Sequence, residues 1–382
     1  MRNGFQIIDT DTHVGPPVDV LYHYGSDVLQ ERRRELAPYE IEMRDGTGLS
    51  IAPVPYKRSM GEAPEEERAE KGGKPALKGK IGSYVKSPPE PGVQVRNSEG
   101  RLKDMDREGR DIDAIIPGTW VTAVTGLDDQ SLAIELYAAY HRYMADYCSA
   151  DPSRLKSTLV APAADPEWAA TEIKRLSGET WVAAVTPVLP EGVPVDDPSL
   201  HPIWRAMDEA DLPILHHSFF YEPPYFPGYR DVWGHVAVAR TAAHVWGAQR
   251  LLSYTILSGL LDQYPNLRIG FAECAGAWLP SWLVRLEAQA DYLSASLPDL
   301  KQSPTDYARS GRVYCGLELY EGDLAQGAID ALGDECFMYQ SDYPHDQCMF
   351  PESPDVVLGW GLDDKTLRKL LSENAARYLR LL

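Results

Sequence analysis

Short apolar runs alternate with longer stretches of helical period along most of this chain. Residues 5–10 read as a first strand, followed by the turn Gly15-Pro16-Pro17. From residue 99 the pattern becomes regular. Residues 101–108 suit a short helix and 112–116 a buried strand. Residues 129–149 set Leu132, Leu136, Tyr140, Tyr143 and Tyr147 at helical spacing. That helix should stop before Asp151-Pro152, because the residue ahead of a proline resists helical backbone. Further strands are expected at 157–161, 181–188, 213–217, 268–273, 312–316 and 336–340. Helices are expected at 166–176, 202–210, about 235–263, 280–295, 322–332 and 364–381.

Eight strand candidates, most followed by a helix, indicate a parallel sheet. The first and last both end in carboxylate and imidazole: Asp11 and His13 after one, Asp342 and His345 after the other. A closed barrel brings first and last strands together and gathers all strand ends on one rim. An open doubly wound sheet would place its site beside a glycine-rich loop, and none follows the first strand. The expected architecture is an α/β (β/α)8 TIM-like barrel with a long insertion after the first strand. One domain should span 1–382. The insertion, 40–98, is rich in Gly, Pro, Lys and Glu, with runs such as Glu65-Glu66-Glu67 and Lys71-Gly72-Gly73. Loops of that length usually leave the compact body, here as a lid or an oligomer contact.

Composition narrows the function. The 382 residues are 44% hydrophobic, enough for a large core. The net charge of −20 argues against nucleic acid or an anionic membrane as partner. The five cysteines form no C-x-x-C pair, which disfavours a disulfide framework or a cysteine zinc site. A reducing cytoplasm fits. No signal segment or long apolar run is apparent.

In a barrel of this kind the carboxyl ends of the strands face the site. Asp11 and His13, two apart in a strand, point the same way and suit one ion. The fifth strand ends in His216 and His217, of which one should face the pocket. The sixth ends in Glu273, the seventh in Glu318, and the eighth in Asp342 with His345 beyond. Any one of these alone reads better as a core or capping residue. Together they are hard or borderline donors suited to zinc, manganese or iron. His244, in a segment after the fifth strand, divides evenly between a packing role and a ligand or catalytic one. His345 suits a group that orients a ligand or acts as general acid. The apolar loop holding Phe219 and Tyr221, with Trp120, Trp278 and Tyr343 past other strand ends, suits a pocket for an apolar or aromatic molecule.

These residues resemble the amidohydrolase superfamily, in the branch that includes aminocarboxymuconate-semialdehyde and gamma-resorcylate decarboxylases. The resemblance rests on Asp9-Thr10-Asp11-Thr12-His13, Arg101-Leu102-Lys103-Asp104-Met105-Asp106, Leu212-Pro213-Ile214-Leu215-His216-His217, Ser341-Asp342-Tyr343-Pro344-His345 and Glu373-Asn374-Ala375-Ala376-Arg377. It implies metal ligands at Asp11, His13, His217 and Asp342. It also exposes two departures. Thr186 stands nearest the place of the residue that bridges two metals in dinuclear members. Glu273 stands where the decarboxylases carry a proton-handling histidine.

The leading expectation is therefore a metal-dependent hydrolase acting on a C–N or C–C bond of a small cyclic or aromatic acid. One divalent ion would polarise a carbonyl and its bound water, and Asp342 or Glu273 would shuttle the proton. Three alternatives stand beside it. A dinuclear iron or manganese oxygenase would hold a second ion with Glu273 and His244. A non-oxidative decarboxylase would use the ion to grip a carboxylate. An inactive metal-binding subunit would support a related partner in a hetero-oligomer. Homo-oligomerisation is expected otherwise.

Overall fold

The computed structural model describes residues 1–43, 46–49, 87–118, 121, 124, 127, 129–189, 193–217, 236–345 and 347–381. Within these, the side chains of 43, 236–240, 243 and 244 fall outside the description. Eight strands form one sheet whose neighbours follow chain order. They are β1 (Ile8–Val14), β2 (Ile112–Pro117), β3 (Leu155–Pro162), β4 (Val182–Val188), β5 (Ile214–His217), β6 (Ile269–Ala272), β7 (Val313–Leu317) and β8 (Phe337–Tyr339). Each pair is parallel. Near-continuous apolar runs are what a parallel sheet covered on both faces requires. The expected (β/α)8 barrel is present.

Closure falls to the two ends of the chain. A single parallel bridge joins Thr12 to Tyr343. Two backbone bonds reinforce it: His13 N–H donates to the Tyr343 carbonyl at 2.7 Å, and Asp342 N–H to the Asp11 carbonyl at 2.9 Å. The barrel's opposite mouth is plugged by the last helical segment, Asn374–Tyr378. The Tyr378 hydroxyl donates to the Ile214 carbonyl at 2.6 Å. Its ring occupies the space a side chain at Gly270 would need, since a Cβ there would lie 2.5 Å from Tyr378 Cζ. Ile8, Ala114, Ile116, Leu215, Ala272 and Met338 pack with Tyr378 as the barrel's inner core. A larger core lies between the strands and the surrounding helices.

Several boundaries differ from the pattern. The strand expected at 5–10 is Ile8–Val14, so Asp11 and His13 lie inside it rather than beyond it. The helix expected at 235–263 is two, Val236–Leu257 and Leu260–Gln263. Gly259, at φ 74°, turns the chain between them. The final helix passes through a wide π turn, Lys369–Glu373. Part of the stretch expected to be an irregular insertion is regular: Glu40–Met43 pairs antiparallel with Gly46–Leu49. Gly46 sits against Pro17, where a Cβ would lie 2.8 Å from the Pro17 Cβ. Residues 51–86 of that insertion lie outside the described residues. Short helices at Val18–His23, Asp27–Arg32, Pro304–Arg309 and Ser353–Leu358 are too brief to show a period. Caps hold two of them: Ser26 Oγ accepts from Leu29 N–H, and Ser303 Oγ from Asp306 N–H. Among the described residues no helix is long and apolar enough to cross a membrane.

Candidate metal centre

The site begins with a defect in β1. Asp9 pairs with Asp113, but Thr12 pairs with Ile115, so one extra residue is inserted between them. Ala114 and Ile116 belong to the inner core and Ile115 to the outer one. Asp9, opposite Asp113, therefore faces outward. His13, opposite Ile116, faces inward with Asp11. The bulge re-aims the strand so that carboxylates two residues apart serve opposite faces. On β5, His217 pairs with Ala272 on the inner face. His216 turns outward and packs its ring 5.6 Å from Phe271.

Asp11, His13, His217 and Asp342 come together at the rim, all buried, with one ligand atom from each within 4.8 Å of the others. His13 Nε2 lies 3.0 Å from Asp11 Oδ1 and 2.9 Å from Asp342 Oδ1. His217 Nε2 lies 3.7 Å from Asp11 Oδ1 and 3.3 Å from Glu273 Oε2. Both carboxylate oxygens of Asp11 and both ring nitrogens of His13 lack a properly aligned hydrogen bond. Buried polar atoms are almost always satisfied, so unpaired donors and acceptors on two neighbouring residues suit a ligand that they could share. Two imidazoles and two carboxylates are the donors a divalent transition ion takes. The residues fit such an ion. Among the described residues this is the one group of its kind.

Charge at the site follows the same logic. Burial disfavours the His13 imidazolium, but Asp11 and Asp342 outweigh it and lift its pKa to about 10. Burial also opposes the Asp342 carboxylate, yet His345 and His13 hold its pKa well below the usual range. Glu318, at the end of β7, goes the other way. Burial and then the nearby Asp11, Glu273 and Asp342 carboxylates push it well up. Its Oε1 accepts from Gln340 Nε2 at 2.8 Å.

Glu273 and His345 flank the group. His345 Nδ1 is 2.6 Å from Asp342 Oδ1, and its ring stacks on His13 with centroids 4.5 Å apart. The Gln347 amide donates to Glu273 Oε1 at 3.2 Å and also to Asp342 Oδ2. Asp342 and Glu273 both carry left-handed backbone, at φ 63° and 48°. Non-glycine residues stay there only when their surroundings fix them, which is common at functional sites. The Thr186 hydroxyl donates to the Leu215 carbonyl at 3.2 Å, so it is spent on backbone.

The residues expected to line a pocket fare unevenly. Tyr343 is fully buried and donates to Asp104 Oδ2 at 2.7 Å. Its ring lies between the guanidinium groups of Arg101, at 5.0 Å, and Arg110, at 4.0 Å. It belongs to a charged cluster behind the rim. The Trp278 indole donates to the carbonyls of Cys274 and Ala275 at 2.8 and 3.0 Å, bracing the loop after β6. Trp120, Phe219 and Tyr221 lie outside the described residues, as does the His244 side chain and with it the suggested second-ion site. Gln340 and Gln347 escaped the pattern because neutral amides carry no ligand signature. Inward alternation from Met338 would have found Gln340.

Comparisons with known proteins place the chain in a family. Four curated relatives match, and all four are gamma-resorcylate decarboxylases. That of Rhodococcus jostii is 25% identical over 264 residues, 64% of this chain and 76% of the relative. Among solved structures, 5-carboxyvanillate decarboxylase from Novosphingobium aromaticivorans has a TM-score of 0.69 at 21% identity, covering 99% of this chain and 97% of that one. It holds manganese and 4-hydroxy-3-methoxy-5-nitrobenzoic acid. A dihydroxybenzoic acid decarboxylase from Polaromonas, with manganese and 2-nitroresorcinol, has a TM-score of 0.63 at 17% identity, covering 99% and 97%. At these identities the structural likeness is one of fold. A family model described as amidohydrolase matches residues 104–381, and the chain belongs to that family.

Proposed function

We propose that this protein is a metal-dependent, non-oxidative decarboxylase of an aromatic acid that carries an oxygen beside its carboxylate. The observation behind this reading is a carboxylate, Glu273, set 3.3 Å from a ligand of the four-donor group, in a chain whose curated relatives are decarboxylases of this kind. Hydrolysis, the first expectation from sequence, gives way to it. Asp11, His13, His217 and Asp342 would hold the ion, with manganese the first choice because two structures of the same fold contain it. A divalent ion there would fix the substrate's carboxylate and neighbouring oxygen and offset their charge.

The chain's own groups supply the rest. Gln347 holds Glu273 and Asp342 through one amide, which fixes the Glu273 carboxyl relative to the proposed ligand set. Glu273 delivers a proton to the ring carbon that bears the carboxylate. A C–H bond forms there, the C–C bond breaks, its electron pair restores the aromatic ring, and carbon dioxide leaves. Solvent then returns a proton to Glu273. His345 keeps Asp342 oriented and anionic. On this reading Glu273 takes the place of the proton-handling histidine that the sequence resemblance implies for such decarboxylases.

The reading extends to the chain's setting. One barrel domain spans 1–382, with 40–98 as its insertion. All five cysteines are free and buried, which suits the cytoplasm. A homo-oligomer is the expected assembly.

The test is turnover by protein loaded with manganese, zinc or iron. The panel contains ortho-hydroxybenzoic acids, cyclic amides and lactones. Carbon dioxide release from an ortho-hydroxy acid, with one deuterium placed on the vacated carbon in heavy water, is the expected result. Glu273→Gln should keep its metal and lose that activity by about 100-fold or more. Ring opening of an amide or lactone without carbon dioxide would return hydrolysis to first place. Oxygen consumption with hydroxylated product would favour the two-metal oxygenase.

A further inference from the structure

Three of the four ligands come from two strand ends that share almost no ladder. β1 and the chain from the end of β8 onward meet at one bridge, two backbone bonds and the bond from the Thr10 hydroxyl to the Tyr339 carbonyl at 2.8 Å. Side chains have room to add to so short a ladder in fixing Asp11 and His13 against Asp342. Behind the site, on the outer face of β1, Asp9 stands fully buried.

Its carboxylate is satisfied from both strands at once. Oδ1 accepts from the N–H of Asp11 at 3.2 Å and from the N–H of Ser341 at 3.0 Å. Oδ2 accepts from Ser341 Oγ at 2.5 Å and from Arg110 Nη1 at 3.3 Å. Ser341 Oγ in turn accepts from Tyr343 N–H at 3.1 Å. The chain is therefore gripped immediately before and after Asp342, the ligand with left-handed backbone. Arg110 is itself fixed by Glu108, at 3.0 Å, and by Asp113, at 3.5 Å. All four bonds use Asp9 as acceptor, at both of its oxygens, and an asparagine offers only one such oxygen.

We propose that Asp9 is a positioning residue for the metal centre: it adds to the short ladder between the first and last strands and sets the spacing of Asp11 and Asp342. This rests on the reading that those residues hold an ion. The bulge in β1 is what makes it work, because it lets Asp9 point away from the site while Asp11 points in. Asp9→Asn keeps the volume but turns an NH2 group toward Ser341 or Arg110, so at least one tie breaks. Ser341→Ala removes the hydroxyl's bonds to Asp9 and to the Tyr343 N–H and leaves the backbone tie from Ser341 N–H.

The experiment measures Mn2+ binding by calorimetry and the Mn2+ electron paramagnetic resonance spectrum in the full chain. Asp9→Asn should weaken binding by about 10- to 100-fold and broaden or shift the bound-ion spectrum. Ser341→Ala should fall between it and the parent. Glu108→Gln is the control. It disturbs the same buried charged cluster through Arg110 and Ser353 without touching either ligand strand end. It should lower the melting temperature and leave affinity and spectrum within twofold of the parent. Parent-like affinity and spectrum in Asp9→Asn would overturn the inference, as would equal losses in Glu108→Gln. A parent that binds no Mn2+ would overturn the metal reading itself, a separable failure.

Discussion

Asp9, Asp11 and His13 are spaced by single residues, yet they do different things because of the bulge between them. His13 is the side chain with most at stake. It is buried between two carboxylates, and replacing it by alanine should empty the centre. His13→Ala is expected to retain less than about a tenth of the parent's metal by elemental analysis, with an unchanged circular dichroism spectrum. A full complement of metal in that variant would refute the ligand assignment. The pH dependence follows from the same group. In the metal-free fold its pKa is raised to about 10, above the ordinary value of about 6.5. The charged ring thus stabilises the metal-free fold fully below pH of about 6.5, and that contribution fades as pH rises through the folded value. An ion needs the neutral ring, so each binding event expels a proton. Between pH 7 and 9 the logarithm of the Mn2+ association constant should climb by about one per pH unit, measured by calorimetry. A flat profile would mean His13 is not a ligand.

At the scale of strands, the inner face of β7 makes room for the site's amide. Gly316 lies opposite Met338 in the ladder and beside Gln340. A Cβ at 316 would sit 1.9 Å from Gln340 Oε1 and 2.4 Å from its Cδ. Gln340 can move only by releasing Glu318 and the Glu273 N–H, which it meets at 2.8 and 3.3 Å. Gly316→Ala should therefore cost about 1–3 kcal/mol in urea unfolding and reduce turnover while metal content holds. Loss of metal in step with turnover would place Gln340 in the ligand shell instead. These strands were legible in the chain because each is a run of apolar residues bounded by turn formers or carboxylates. The four residues proposed to hold the ion, Asp11, His13, His217 and Asp342, could be picked out as well, since each is a carboxylate or imidazole in or just after an apolar run. The bulge was not legible, because it depends on which β2 residue faces Thr12. Gln347 was not either, because it lies in a loop and looks like any surface amide. The contact of Tyr343 with Arg101 and Arg110 was not legible either, because proximity to Asp342 in sequence says nothing about residues more than two hundred positions away.

For the molecule as a whole, the charge of −20 would set how the proposed acid substrate arrives. Long-range repulsion slows its approach until salt screens it, over about 10 Å at 0.1 M. For an anionic aromatic acid, kcat/KM should rise with added sodium chloride between 10 and 200 mM, as read from initial rates, on the order of twofold or more. A fall with salt would reveal a local basic approach path outweighing the global field.

The barrel's seam has one more consequence, for the moment of synthesis. Asp11 and His13 emerge from the ribosome early, and Asp342 more than three hundred residues later. A nascent chain thus owns only part of a chelating set until its last strand is made. If these four residues hold the ion, the complete site would form only once the last strand is in place.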